Sequence, residues 1–233
     1  MISNDGLKGG PIMVEVKIGF KTLDHPYTIR LYGVTEEVFD DLVDEDTKAE
    51  LIDGVMIVHS PAVLEHEDLC SFLGGLMGFY ADVKELGKVI ASGNGIVHLA
   101  TCRRVAPDIF FIRQERVPVP LPKEFDGAPD LVVEILSPSN RSDDLNDKRA
   151  AYREAGVGEI WFVDEEYRKV IVDRKQVGET RGVALYVEDV ITEGKVASTV
   201  LRGFWADASW LWSEPLPNRM SCLQEILSGG TGR

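Results

Sequence analysis

Apolar and polar positions alternate along this chain in two rhythms, one of strands and one of helices. In "AELIDGVMIVHS" two apolar runs flank Asp53-Gly54, a dipeptide that tolerates the positive φ of a type I′ turn, and a β-hairpin is predicted. Upstream, "PIMVEVKI" and "PYTIRLY" gather β-formers and read as short strands. Thr35 can cap a short acidic helix through Leu42, with Glu36 and Glu37 favourably placed in its first turn. The stretch "SPAVLEHEDLCSFLGGLMGFYADVKELG" then changes to helical spacing, putting His66, Leu69, Leu73, Leu76, Tyr80 and Val83 on one face. Pro61 suits the first turn of that helix and Gly87 its end.

Three extended segments follow: "KVIASGNGIVHLA", "APDIFFI" and "APDLVVEILS", with the proline-rich loop "VPVPLPKEFDG" between the last two. Ser142 can cap a helix over "DDLNDKRAAYREA", closed by Gly156, and "EIWFVD" and "KVIVDR" read as a strand and its hairpin partner. Residues 130 to 164 thus form a β, helix, β unit, whose helix is long enough to return the chain parallel to its start. "GVALYVED" and "ASTVLRGFWADASWLW" add strand and an apolar tail. The pattern predicts an α/β core round a mixed central sheet flanked by helices. Residues 1–34 are expected to be an N-terminal extension with short strands, 35–213 one domain and 214–233 a tail.

Composition narrows the class of function. A chain of 233 residues, 44% hydrophobic, can bury one substantial core. No apolar run approaches a membrane span and the start lacks a secretory pattern, so a cytoplasmic protein with no membrane partner is expected. Cys70, Cys102 and Cys222 are odd in number and far apart, which predicts small buried hydrophobes rather than disulfides, and the four histidines form no zinc pattern. The net charge of −14 argues against general affinity for nucleic acid. Half of it lies in "TEEVFDDLVDEDTKAE", however, with eight acids and one lysine, whereas residues 102–123 carry five basic residues against two acids. The field near the central strands is therefore expected to be less negative than the total.

Acids on apolar strands carry the candidate chemistry. In "APDLVVEILSPSN", side chains two apart share a face, so Asp130, Val132, Glu134 and Leu136 point one way and Leu131, Val133 and Ile135 the other. A buried carboxylate needs a partner, a proton or a cation. "PD" opens both "DIFFI" and "LVVEI"; if those strands are neighbours, Asp108 approaches Glu134 across the sheet. Two such carboxylates suit Mg²⁺ or Mn²⁺ completed by waters and a phosphate. The plainer alternative pairs Glu134 with Arg103 or Arg104 and leaves Asp108 capping a turn.

"ELIDGVMIVHSP", the helix bearing His66, "VAPDIFFI", "GAPDLVVEILSPSN" and "DKRAAYREAGVGEIWFVD" resemble, in order, the Uma2 family, a domain of unknown function related to the PD-(D/E)xK restriction-endonuclease-like superfamily. The resemblance runs from about Thr35 to Asp173. It implies that fold, a Mg²⁺-dependent (or Mn²⁺-dependent) endonuclease acting on DNA, and a homodimer, to which exposed Phe204, Trp205, Trp210 and Trp212 could contribute unless they cover their own sheet. Carried over by motif, Asp108, Glu134 and the main-chain carbonyl of Ile135 would hold the metal. The superfamily's lysine two residues beyond the acid is Leu136 here. Lys148 is the substitute, sharing a helix face with Tyr152 and Ala155, against the alternative of a solvated pair with Asp144. Glu50 matches an upstream acid, or is a surface residue on the hairpin. His66 could reach the same cleft, while Asp130 more readily serves the strand entrance. The departure at Leu136 and the acidic charge leave a second reading, a nuclease-like fold that binds nucleic acid or protein without cutting; carboxylate acid/base chemistry such as glycoside hydrolysis is a weaker third.

Overall fold

The computed structural model describes residues 28–43, 47–59, 63–92, 95–137, 144–180 and 183–229. The "PIMVEVKI" strand, Pro61 and Ser142 lie outside them. β1 (Thr28–Tyr32) precedes α1 (Glu36–Leu42), whose N-cap Thr35 accepts a hydrogen bond from the Val38 amide, as the sequence predicts. β2 (Ala49–Ile52) and β3 (Val55–His59) form the expected hairpin, with Asp53 and Gly54 both at positive φ (50° and 83°).

α2 runs Leu64–Lys84 and buries His66, Leu69, Leu73, Leu76 and Tyr80, but Val83, predicted on the same face, is exposed. The helix ends at Glu85 in left-handed conformation, not at Gly87. Gly87 instead opens β4 (Gly87–Ala91) with φ 147°, where a Cβ would lie 2.0 Å from the Ile112 carbonyl oxygen. Close backbone approach, rather than a helix cap, is what requires glycine there.

The predicted strand "KVIASGNGIVHLA" divides into β4 and β5 (Val97–Ala100), which belong to different sheets. β6 (Arg103–Val105), β7 (Ile109–Arg113), β8 (Phe125–Asp126, a short strand inside the predicted loop) and β9 (Leu131–Ile135) follow. A π-helical turn at Asp144–Lys148 runs into α3 (Arg149–Ala155), closed by Gly156 at φ 83°. β10 (Glu159–Asp164), β11 (Lys169–Thr180), β12 (Val183–Ile191), β13 (Lys195–Ala197) and β14 (Trp205–Asp207) complete the strands, and α4 (Arg219–Leu227) the helices.

The described residues form two six-stranded sheets, ordered β1-β3-β2-β6-β5-β8 and β12-β11-β10-β9-β7-β4, with β13 and β14 as a separate ribbon. The second is mixed: β9 and β10 are parallel across α3, and β7 and β9 are antiparallel with Ile109 opposite Val133. One apolar cluster joins the two sheets, holding Ile52, Ile57, Val105, Phe110, Val132, Leu136, Tyr152 and Phe162. A second lies between the second sheet and α2 and α4, and takes Ile109, Phe111, Leu131, Val133 and Ile135, and a smaller third gathers Phe39 of α1 with Ala49, Leu51 and Met56 of the hairpin. Even and odd residues of β9 thus face opposite layers, as the alternation predicts.

Phe204 and Trp205 are buried, and Trp210 and Trp212 pack on the same core. They cover their own subunit's sheet and lend no support to dimerisation. The cysteines are free, with Cys70 and Cys222 buried but Cys102 only partly so. The basic stretch 102–123 is not an open basic surface: Arg103 bonds Asp53 (2.8 Å) and Glu154, Arg104 bonds Asp40, and Arg116 meets Asp130 (2.9 Å). Asp130 also accepts from the Arg113 amide (2.9 Å), the strand-entrance role its position suggested. No helix among the described residues is long and apolar enough to cross a membrane.

Candidate active site

Asp108 is the residue before β7, and the register of β7 on β9 continues to place it opposite Glu134. Both lie on the face that looks into the space between the sheets, as their even-numbered neighbours Phe110 and Val132 do. From the facing sheet β2 supplies Glu50, and from the end of the π turn comes Lys148; all four side chains are buried. The four residues singled out in the sequence thus converge on one cluster.

Lys148 binds the acids from two sheets together, its Nζ 2.6 Å from Glu134 Oε1 and 3.0 Å from Glu50 Oε1. One helical turn on, Tyr152 donates to the same Glu134 oxygen at 2.5 Å. Glu50 is not a surface acid, Lys148 is not a solvated one, and neither Arg103 nor Arg104 is spent on Glu134. Glu50 further accepts from the Ala106 amide (2.8 Å) and contacts His59 Nε2 (2.8 Å). Asp108 Oδ2 accepts from the Ile135 amide (2.8 Å) and lies 3.2 Å from His66 Nε2, while Oδ1 lies 3.4 Å from Lys48 Nζ.

Burial opposes the charge of Glu50, yet Lys148, His59 and the Ala106 amide outweigh it and hold its carboxyl well below the usual range. Asp108 is likewise opposed by burial and likewise depressed, through His66, Lys48 and Lys148. Both are therefore carboxylates at neutral pH. Burial also opposes the charges of Lys48 and His66, and Asp108 overrides it, raising both. The Tyr152 phenol is pushed well above its ordinary value by burial, with Glu134 adding to the effect, so it remains an O–H donor. Burial first, then Asp108, pushes the Cys70 thiol up to about 12, which makes it a poor nucleophile.

These depressed carboxyls fix a pH dependence. Both bind fewer protons folded than unfolded, so their stabilisation is complete above the unfolded carboxylate values of about 4 and drains away as pH falls through and below them. Urea unfolding in EDTA is expected to show a falling free energy between about pH 5 and pH 2, less steep in Glu50→Gln. An unchanged slope in that variant would show that Glu50 is not held ionised by its partners.

Lys48, His59 and Tyr152 escaped the sequence reading as members of the site. Lys48 stands two residues before Glu50 and so shares its face, a Lys-x-Glu spacing that could have been noticed. His59 became legible only with the hairpin register, which sets Glu50 opposite Ile57. Among the described residues no group of three His, Cys, Asp or Glu side chains is placed to hold a metal ion. Magnesium commonly needs only one or two carboxylates besides water and substrate phosphate, and the donors here are of that kind. The Ile135 N–H donates to Asp108, and the carbonyl of a strand residue points to the same edge as its N–H, so the Ile135 carbonyl is directed to the β7 edge of the strand. Two ionisable acids and a carbonyl fit a hard cation.

A mixed sheet with acids converging at the antiparallel β7–β9 pair, and a helix returning a lysine to them, defines a restriction-endonuclease-like α/β fold. A solved structure of matching shape, titled as a "putative nuclease belonging to DUF820" from Anabaena variabilis, has a TM-score of 0.65 at 18% identity and covers 77% of this chain and 97% of its own. No curated protein matches the chain. The Uma2 family model, described as "Putative restriction endonuclease", matches residues 36–209, and the chain belongs to that family.

Proposed function

We propose that this protein is an endonuclease hydrolysing DNA phosphodiester bonds with Mg²⁺, or Mn²⁺ in its place. The observation that carries the reading is the buried meeting of Asp108, Glu134, Glu50 and Lys148, drawn from two sheets and a helix. Asp108, Glu134 and the Ile135 carbonyl would hold the ion, which when bound lowers the pKa of a water and neutralises charge developing on the phosphate. The chain's own work is positioning. The Ile135 amide and His66 fix the Asp108 carboxylate, Tyr152 and Lys148 fix Glu134, and His59 and the Ala106 amide fix Glu50. Lys148, the ammonium next to Glu134, orients the attacking water. Homodimerisation belongs to this reading on the family resemblance alone.

The test is cleavage of single-stranded, linear duplex and supercoiled DNA in Mg²⁺ or Mn²⁺, with Asp108→Ala as the background control. Metal-dependent cleavage that EDTA abolishes and the control lacks is expected. Equal cleavage by the control would reject Asp108 as a ligand. The reading of a non-cutting binding module draws on Leu136 and on the acidic total charge, and predicts DNA retention with no cleavage under any metal.

A further inference from the structure

Of the cationic side chains in the cluster, Lys148 and Lys48 stand in opposite situations. The Lys148 side chain is 4% exposed and its Nζ is engaged by two carboxylates from different sheets. The Lys48 side chain is 24% exposed, and among the described residues its acceptor is Asp108, at 3.4 Å. With Asp108 and Lys148 at 4%, Glu134 at 2% and Glu50 at 0%, Lys48 is the most exposed of these five side chains. Its position is built: the Lys48 carbonyl accepts the His59 amide at 3.0 Å, extending the hairpin ladder, so Lys48 points the same way as Glu50.

We propose that Lys48 is the substrate-contacting lysine of this site, donating to a non-bridging oxygen of the DNA phosphate while Lys148 stays with the acids. An ammonium carries three donors, so the bond to Asp108 leaves capacity for an incoming oxygen. This assignment rests on the nuclease reading above, but is tested by binding, which does not need cleavage.

The experiment is fluorescence anisotropy of a labelled DNA duplex with the full chain in Ca²⁺ and in EDTA. Lys48→Met is expected to weaken binding about tenfold, the usual worth of a hydrogen bond to a charged group. Lys48→Arg should stay within threefold of the parent, and Lys84→Met, an equal charge loss on the exposed end of α2, within twofold. Removing Lys48 weakens the neutralisation of buried Asp108, so Asp108→Asn is compared with the double variant Lys48→Met/Asp108→Asn, where no buried charge is stranded; the tenfold loss should persist. Equal affinities in that comparison would overturn the assignment, as would a parent chain that binds no DNA. A chain that binds through Lys48 but cuts nothing would retain the assignment and remove the nuclease reading.

Discussion

Lys148→Met is expected to lower the unfolding free energy by about 3–5 kcal/mol, because it strands buried carboxylates rather than trimming a surface pair. Lys148 is the cation touching both Glu50 and Glu134. Without it Glu50 keeps only His59 and one amide, and Glu134 keeps the Tyr152 hydroxyl among its hydrogen-bond partners here. For a chain of this size the melting temperature should fall by roughly 10 °C. The sign with pH is distinctive. In the parent, Glu50 is depressed and loses its contribution as pH falls; in the variant, burial acts on Glu50 with less opposition, its folded pKa rises, and the deficit should shrink towards about pH 4–5. Glu50→Gln in the Lys148→Met background should recover part of the loss at pH 7. A solvated helix lysine would instead cost below about 0.5 kcal/mol and show neither effect, and that result would remove Lys148 from the centre of the cluster.

The parts of this fold that could be read from the chain are those whose cause is local. Asp53-Gly54 specifies its turn through backbone sterics, Thr35 its helix start through one side-chain bond, and the alternation in β9 its two faces through strand geometry. What escaped was decided by distant partners. β5 and β8 are short, and exist because Val97 pairs with Val105 and Phe125 rather than because their composition demands strands. α4 packs on α2, with Arg219 reaching Ser71; its start at the cap Asn218 and its helical spacing of Cys222, Leu223, Ile226 and Leu227 are legible in the chain, although no element is predicted for that tail. The site divides along the same line. Asp108 and Glu134 are visible as acids in greasy strands, whereas Lys148 is singled out by the family resemblance. Lys48 and His59 matter only because a second sheet brings the hairpin over the first pair, a juxtaposition that no spacing along the chain encodes.

Glu134→Ala separates the proposed chemistry from the architecture that houses it. The substitution removes one acid and leaves Lys148 matched by Glu50, so no buried charge is stranded; the losses are the acceptor of the Tyr152 hydroxyl and a small cavity. A cost of about 1–3 kcal/mol is expected, within what a folded domain tolerates. Metal-dependent cleavage, by contrast, should fall by on the order of 10³-fold or more, since one of the two proposed side-chain ligands is lost together with the carboxylate that holds Lys148 toward the water. Titration calorimetry with Mn²⁺ should show binding to the parent and none to Glu134→Ala or Asp108→Ala, whereas Gly87, far along β4, has no bearing on it. Tyr152→Phe keeps the carboxylate but frees its rotamer, and should reduce cleavage far less than Glu134→Ala while leaving Mn²⁺ binding detectable. A Glu134→Ala protein that cuts at the parental rate would show that this acid is held in its strand for the sake of the Lys148 bridge alone.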